Sequence, residues 1–210
     1  MNFRALAVVA ALALPAAAAP VTYQIDSSHS VAAFSVRHLM VSNVRGELGA
    51  ISGTVVYDKD DVTKSTVEAT IDVKAINTRD EKRDGHLKGP DFFDVAKFPT
   101  ATFKSSAVEK SGDKLKVTGN LTLRGVTKPV TLDVEVPGAE VGMKAWGVLK
   151  TGTSAATVIN RKEFGISWSA LADNGGAVVG DEVKINLELE LNRPDPSAKP
   201  AEKPAAPAKK

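Results

Sequence analysis

The sequence predicts an all-β domain of antiparallel strands with one short helix. Three observations carry this reading. Long stretches alternate apolar and polar residues with a period of two, the mark of a sheet with one dry face and one wet face. Short links bearing Gly or Pro separate these stretches, so neighbouring strands pair antiparallel. One segment, Thr78 to Pro90, carries the start and stop signals of a helix.

In chain order, strands are predicted at 22–25, 31–38, 48–57, 67–73, 101–108, 115–123, 130–136, 145–153, 165–169 and 183–191. The alternation is cleanest in four of them. Val67, Ala69, Ile71 and Val73 share a face, as do Leu115, Val117, Gly119, Leu121 and Leu123. Val130, Leu132, Val134 and Val136 face away from Thr131, Asp133 and Glu135. Val183, Ile185, Leu187, Leu189 and Leu191 face away from Lys184, Asn186, Glu188 and Glu190. The turn signals are Ser111-Gly112-Asp113, Gly125 to Pro129, and Pro137-Gly138. About eight to ten strands suffice for a closed barrel or a sandwich, and the residue pattern leaves both open.

The helix signal is a capping box, with Thr78 as N-cap and Glu81 three residues on; Gly89-Pro90 stops it. At 100° per residue, Arg79, Arg83 and His86 fall on one stripe, with Asp80 and Asp84 on the adjoining face. A second short helical turn is expected at 91–95, carrying Phe92 and Phe93.

Neither end reads as fold. Residues 1–18 have the pattern of a cleaved signal peptide: Arg4, an apolar run from Leu6 through Leu14, then Pro15 and Ala16-Ala17-Ala18. Residues 193–210 are rich in Pro, Ala and Lys and bury little, so they form a solvated tail that solubilises the chain or touches anionic lipid. Residues 19–192 remain as one domain. Of the net charge of +2, Arg4 contributes one positive charge and residues 193–210 three, leaving about −2 for the domain. No basic stripe runs along a core element, which argues against a nucleic-acid partner. The sequence has no cysteine, so thiolate catalysis, thiolate metal sites and a lipidated N-terminal Cys are excluded.

Chemistry-bearing motifs are sparse. There is no Gly-x-Ser-x-Gly elbow, His-Glu-x-x-His pair, phosphate-binding loop or dinucleotide fingerprint. The histidines are His29, His38 and His86. A metal-dependent or other enzyme would use His38, His86 and Asp84. His38 shares a face with Ala32, Phe34 and Val36, so it is a core histidine bonded to a carbonyl or a polar group at a cavity mouth. Phe34, Phe92, Phe93, Phe98, Phe103, Trp146, Phe164 and Trp168 fill a core or line a cavity, and pattern alone does not separate the two.

Seven segments together resemble the YceI-like family: Ile25-Asp-Ser-Ser-His-Ser30, Phe34-Ser-Val-Arg-His38, Arg83-Asp-Gly-His-Leu87, Asp91-Phe-Phe-Asp94, Phe98-Pro-Thr-Ala-Thr-Phe103, Gly119 to Val130, and Asn160 to Ile166. They run in order from about Val21 to Leu191. One departure is Asn160, where an acidic residue is expected before the arginine; it places the salt bridging of that turn in question. The resemblance implies an extended lipocalin-like antiparallel barrel with the helix near its opening. It implies a polyisoprenoid-type lipid as ligand, with no cofactor and no catalytic residues. It also implies a periplasmic or secreted setting, transient contact with a membrane surface, and a homodimer. On this reading Phe34, His38, Arg83, His86, Phe92, Phe93, Phe98, Phe103, Trp146, Phe164 and Trp168 contact the ligand, with Arg83 and His86 at its head group. The competing expectation is that Arg83 pairs with a carboxylate and pins the helix. A solid-core secreted interaction module is the remaining alternative to a carrier.

Overall fold

The computed structural model describes residues 19–143 and 146–198; residues 1–18, expected to be a signal peptide, and most of the expected tail, residues 199–210, lie outside the described residues, as do residues 144–145. The described residues form eleven strands and one α-helix. In order these are β1 (Val21–Ile25), β2 (Val31–His38), β3 (Ser42–Glu47), β4 (Ile51–Tyr57), β5 (Thr66–Asp72), α1 (Glu81–Lys88), β6 (Thr100–Ser111), β7 (Lys114–Leu123), β8 (Val126–Glu135), β9 (Val141–Met143), β10 (Val148–Asn160) and β11 (Val179–Pro194).

All pairings are antiparallel. Eight strands close a barrel in the order β11-β1-β4-β5-β6-β7-β8-β10, with β10 returning to β11. Closure chooses the barrel over the sandwich and leaves only β3 and β9 as outer edges of the sheet. The strand that makes it possible is β11, 16 residues long and so roughly 50 Å from end to end. One edge pairs with β10 from Glu182 to Pro194. The other edge takes two partners in series: β2 along Val179–Glu188, then β1 at Leu191 and Asn192. The barrel therefore has a far end at β1 and a mouth end where β2, with β3 beside it, takes over the edge of β11.

At the mouth end, Glu47 and Asn77 exchange backbone hydrogen bonds of 2.9 and 3.0 Å, which tie β3 to the segment leading into α1. This approach requires glycine at position 46. A Cβ there would lie 2.7 Å from the Asn77 carbonyl and 2.8 Å from the Phe34 ring.

Several expectations are corrected. β3 has no counterpart among the predicted strands, because Ser42-Asn-Val-Arg-Gly-Glu47 is polar and carries a glycine. Residues 165–169 are not a strand; the Ile166 and Trp168 carbonyls go to the Arg161 guanidinium instead of to a ladder. The N-cap of α1 is Asp80, whose carboxylate accepts from the Arg83 amide at 2.9 Å, and not Thr78. Arg79 lies outside the helix with φ of 64°, so the stripe through Arg79, Arg83 and His86 does not form. Residues 91–95 make tight turns on the end of α1, with Phe93 N–H donating to the Leu87 carbonyl at 3.0 Å, and are not a second helix. Pro129, expected in a turn, lies inside β8 opposite Asn120, on a strand that meets β10 only at Asp133 and Val134. Arg193, expected to begin the tail, is still strand and pairs with Leu149.

Candidate functional site: a cavity inside the barrel

The inward faces do not interlock along the whole axis. They leave a cavity of about 360 Å³, within the span typical of small-molecule sites. All eight barrel strands contribute to its wall, as do Val44, Val36 and Phe34 from β3 and β2. The wall is almost wholly apolar. It runs from Leu123, Ile159 and Trp168 at the mouth to Val134, Ser65 and Leu191 at the far end. The alternation read from the sequence produces it: Leu115, Val117, Leu121 and Leu123 all face this space, and so do Val183, Ile185, Leu187, Leu189 and Leu191.

Eight of the eleven expected contact residues line the cavity: Phe34, His38, Arg83, His86, Phe92, Phe93, Phe103 and Trp168. Three do not. Phe98 packs its ring on Gly125 of the β7–β8 turn, where a Cβ would lie 2.6 Å away. Trp146 is 65% exposed, beyond the far end of β10, with the Lys150 ammonium 6.0 Å from its ring centre. Phe164 is buried in a solid cluster with Val73, Leu123 and Ile166, so it is core and not wall.

The mouth is built by aromatic stacking on a polar scaffold. His86 meets Phe92 and Trp168 edge-on, with ring centres 5.0 and 5.3 Å apart, and Phe92 and Trp168 are 5.4 Å apart. The His86 Nε2 atom lies 3.0 Å from the Asp91 carboxylate, which fixes the ring's orientation. Arg83 donates through Nε to Thr78 Oγ1 at 2.7 Å and through a terminal nitrogen to the Thr78 carbonyl at 2.8 Å, with Asp80 at 3.9 Å. Asp84 accepts from the Thr78 amide at 2.8 Å. Arg83 thus pins the helix start while still bordering the cavity. His38, at the end of β2, is half-buried on the rim, and among the described residues its ring makes no hydrogen bond.

His38, His86 and Asp84 do not converge on a metal site: Asp84 is committed to Thr78 and His86 to Asp91. Among the described residues, the one trio with suitably close ligand atoms is Asp26, His29 and Glu190, within 4.8 Å of one another. Lys150 already bonds both Asp26 and Glu190, so a metal ion would have to displace its ammonium.

Sequence reasoning missed Arg161. It is 3% exposed, and its guanidinium donates to the carbonyls of Ile166 at 2.8 Å, Trp168 at 2.7 Å, Gly180 at 2.9 Å and Val179 at 3.3 Å, with Asp181 at 3.2 Å. Burial pulls its pKa below the ordinary arginine value, with Asp181 opposing. This one side chain anchors Trp168, and with it one wall of the mouth. Asn160 does not take part; it caps the following 3-10 turn by accepting from the Lys162 amide at 3.0 Å, and Asp181 supplies the carboxylate.

A closed antiparallel barrel with an apolar interior and one flanking helix defines the lipocalin-like class by architecture. Residues 23–191 match the YceI-like domain, and the chain belongs to that family. Protein YceI of Salmonella newport is 38% identical over 170 residues, covering 80% of this chain and 85% of that one. Among solved structures, Burkholderia cenocepacia BcnA superposes with a TM-score of 0.67 at 28% identity, covering 79% of this chain and 98% of that one. The Campylobacter jejuni YceI protein gives 0.61 at 32% identity, covering 75% and 89%. A polyisoprenoid binding domain from Saccharophagus degradans shares the fold, with a TM-score of 0.57 at 16% identity over 82% of this chain and 98% of that one. The resemblance seen in the seven sequence segments is borne out.

Proposed function

We propose that the protein is an extracytoplasmic lipid-binding protein that holds a long apolar chain of the polyisoprenoid class, such as a quinone or a prenyl phosphate, in its barrel. It carries, stores or scavenges that lipid in the periplasm. The observation that carries this reading is the elongated apolar cavity of about 360 Å³. The ligand class draws support from the Saccharophagus domain, a polyisoprenoid binder built on the same fold.

Energetics favour exchange over permanent capture. A forty-carbon chain gains roughly 30 kcal/mol gross on leaving water, at about 0.8 kcal/mol per carbon. The lipid's alternative home is a membrane, where it is already dry, so the apolar terms nearly cancel. Affinity then rests on fit and on the head group, for which His38 and His86 at the rim are the available polar contacts. Arg83 contributes only the part of its guanidinium not held by Thr78.

The test is native mass spectrometry of protein made with residues 1–18 in place, followed by identification of the released lipid. The Phe92→Ala, Phe93→Ala double variant should lose most of its lipid with an unchanged far-ultraviolet dichroism spectrum. Ala155→Phe, which narrows the cavity from β10, should shift the retained lipid toward shorter chains. Unchanged lipid in both variants overturns the assignment.

A further inference from the structure

The β2–β3 hairpin tip breaks two rules of ordinary soluble surfaces. Its three residues are all large and apolar, and all exposed: Leu39 at 40%, Met40 at 54% and Val41 at 76%. Such a run on a surface is an error unless it meets something. Its backbone is also costly. The Val41 amide donates to the His38 carbonyl at 3.0 Å, closing a turn whose two central residues, Leu39 and Met40, have φ of 50° and 60°. That is the pattern of a type I′ turn, which favours Asn-Gly. Bulky side chains in the left-handed region carry strain, and persistent strain of this kind clusters at working surfaces.

The tip does not stand alone. The Leu39 amide donates to the Val178 carbonyl at 2.8 Å, and the Val178 amide donates to the Ala170 carbonyl at 2.9 Å. This chain of bonds sets the 170–178 turn beside the tip, with Leu171 74% exposed. Val178, His38 and Trp168 on the same two segments line the cavity, so the exposed apolar groups crown its mouth. Two arginines flank them. Arg37 donates to the Met40 carbonyl at 2.5 Å, which holds its charge at the tip. Arg45, on β3 opposite Ser35, points to the same face of the hairpin as Arg37 but one step further from the tip, with Glu47 the next residue on that face. Neither has an acidic partner among the described residues, and Asp173 is the one acid on the neighbouring turn.

We propose that Leu39, Met40 and Val41, with Leu171 beside them, insert into the interface of an anionic phospholipid bilayer and set the cavity mouth against it. The proposal builds on the lipid-carrier reading and names the surface through which the cavity would meet its lipid source. A bilayer fits better than a second copy of this chain. A three-residue tip and one leucine offer a small fraction of the roughly 800 Å² per partner that a stable dimer covers. A narrow apolar projection between cations is suited to the boundary between head groups and acyl chains.

The experiment is flotation with vesicles of phosphatidylethanolamine and phosphatidylglycerol at three to one, using the full mature chain. The wild type should float. Met40→Asp with Val41→Asp should lower the bound fraction about ten-fold. Arg37→Gln and Arg45→Gln should each lower it about five-fold at low salt and less at high salt. Leu39→Asn with Met40→Gly relieves the strained turn, so it should raise the melting temperature by a few degrees while weakening flotation; its gain in stability shows that the loss is not unfolding. Neutralising tail lysines 203, 209 and 210 to Gln controls for the tail: flotation that follows the tail and ignores the tip overturns the proposal. So does a tip variant that changes only the oligomeric state. Uptake of a polyprenyl quinone from detergent solution separates this from the carrier reading. Normal uptake without flotation removes the docking surface alone, whereas flotation without uptake leaves docking intact and removes the carrier.

Discussion

The two ends of the barrel solve the problem of stopping a sheet in opposite ways. The far end is tied by charge. Glu140 accepts from the Tyr23 hydroxyl at 2.6 Å and takes Arg193 in a two-point grip at 2.5 and 2.7 Å. Beside it, Asp26 accepts from Asn192 at 2.8 Å and meets His29 at 3.0 Å, while Lys150 bridges Asp26 and Glu190. The mouth end has one buried arginine, an aromatic cluster and an apolar, strained hairpin tip. The difference teaches where rigidity and access lie. Polar and ionic bonds tie β1, β10 and β11 together at one end, and the other is left with surfaces suited to contact.

Perturbing each end should sharpen the contrast. The largest effect belongs to Arg161→Leu at the mouth. It strands four carbonyls, two of them belonging to Ile166 and Trp168, and should cost about 3–5 kcal/mol in urea unfolding. Asp181→Asn, which removes only a half-exposed partner, should cost under about 1 kcal/mol. Next is Glu140→Gln at the far end, expected to lose about 1–2 kcal/mol while leaving cavity lipid unchanged. If lipid is lost instead, the far end is an access route and the contrast fails.

The smallest effects come from pH. Hydrogen bonds, first from His29 and then from Asn192, hold the Asp26 carboxyl well below the usual carboxylate range. Arg193 lowers Glu140. Both folded values are depressed, so their stabilisation is present above a pH of about 4 and fades as pH falls through the folded values. The Tyr23 phenol is pushed up to about 12, first by burial and then by Glu140. Its raised value means stability declines as pH climbs from about 10 toward 12. Melting curves should show both losses. Tyr23→Phe should remove most of the alkaline one, with a remainder from Tyr57, which burial also raises.

Much of this was legible in sequence, for a physical reason. Alternation is local, so β5, β7, β8 and β11 and their inward residues could be read directly, and with them most of the cavity wall. What was not legible depends on contacts between residues far apart. Arg161 gives no local sign that it will gather carbonyls from Ile166 to Gly180, and without that knowledge residues 165–169 look like a strand. Asp80 outcompetes Thr78 as helix cap because Thr78 is taken by Arg83 and Asp84, five and six residues on. Aromatic content locates Phe98, Phe103 and Phe164 in the fold but cannot say which rings face the hollow. Phe103 does, Phe98 rests on Gly125, and Phe164 is enclosed.

The division of β11 between β10, β1 and β2 has a kinetic consequence. Two of the barrel's seams and the pairing to β2 meet on the strand that is made last, and β1 waits across more than 160 residues for its partner at Leu191. Separations of that size slow folding. Until about residue 192 has emerged from the ribosome the container has no seam to zip, so the hollow comes into being late and all at once.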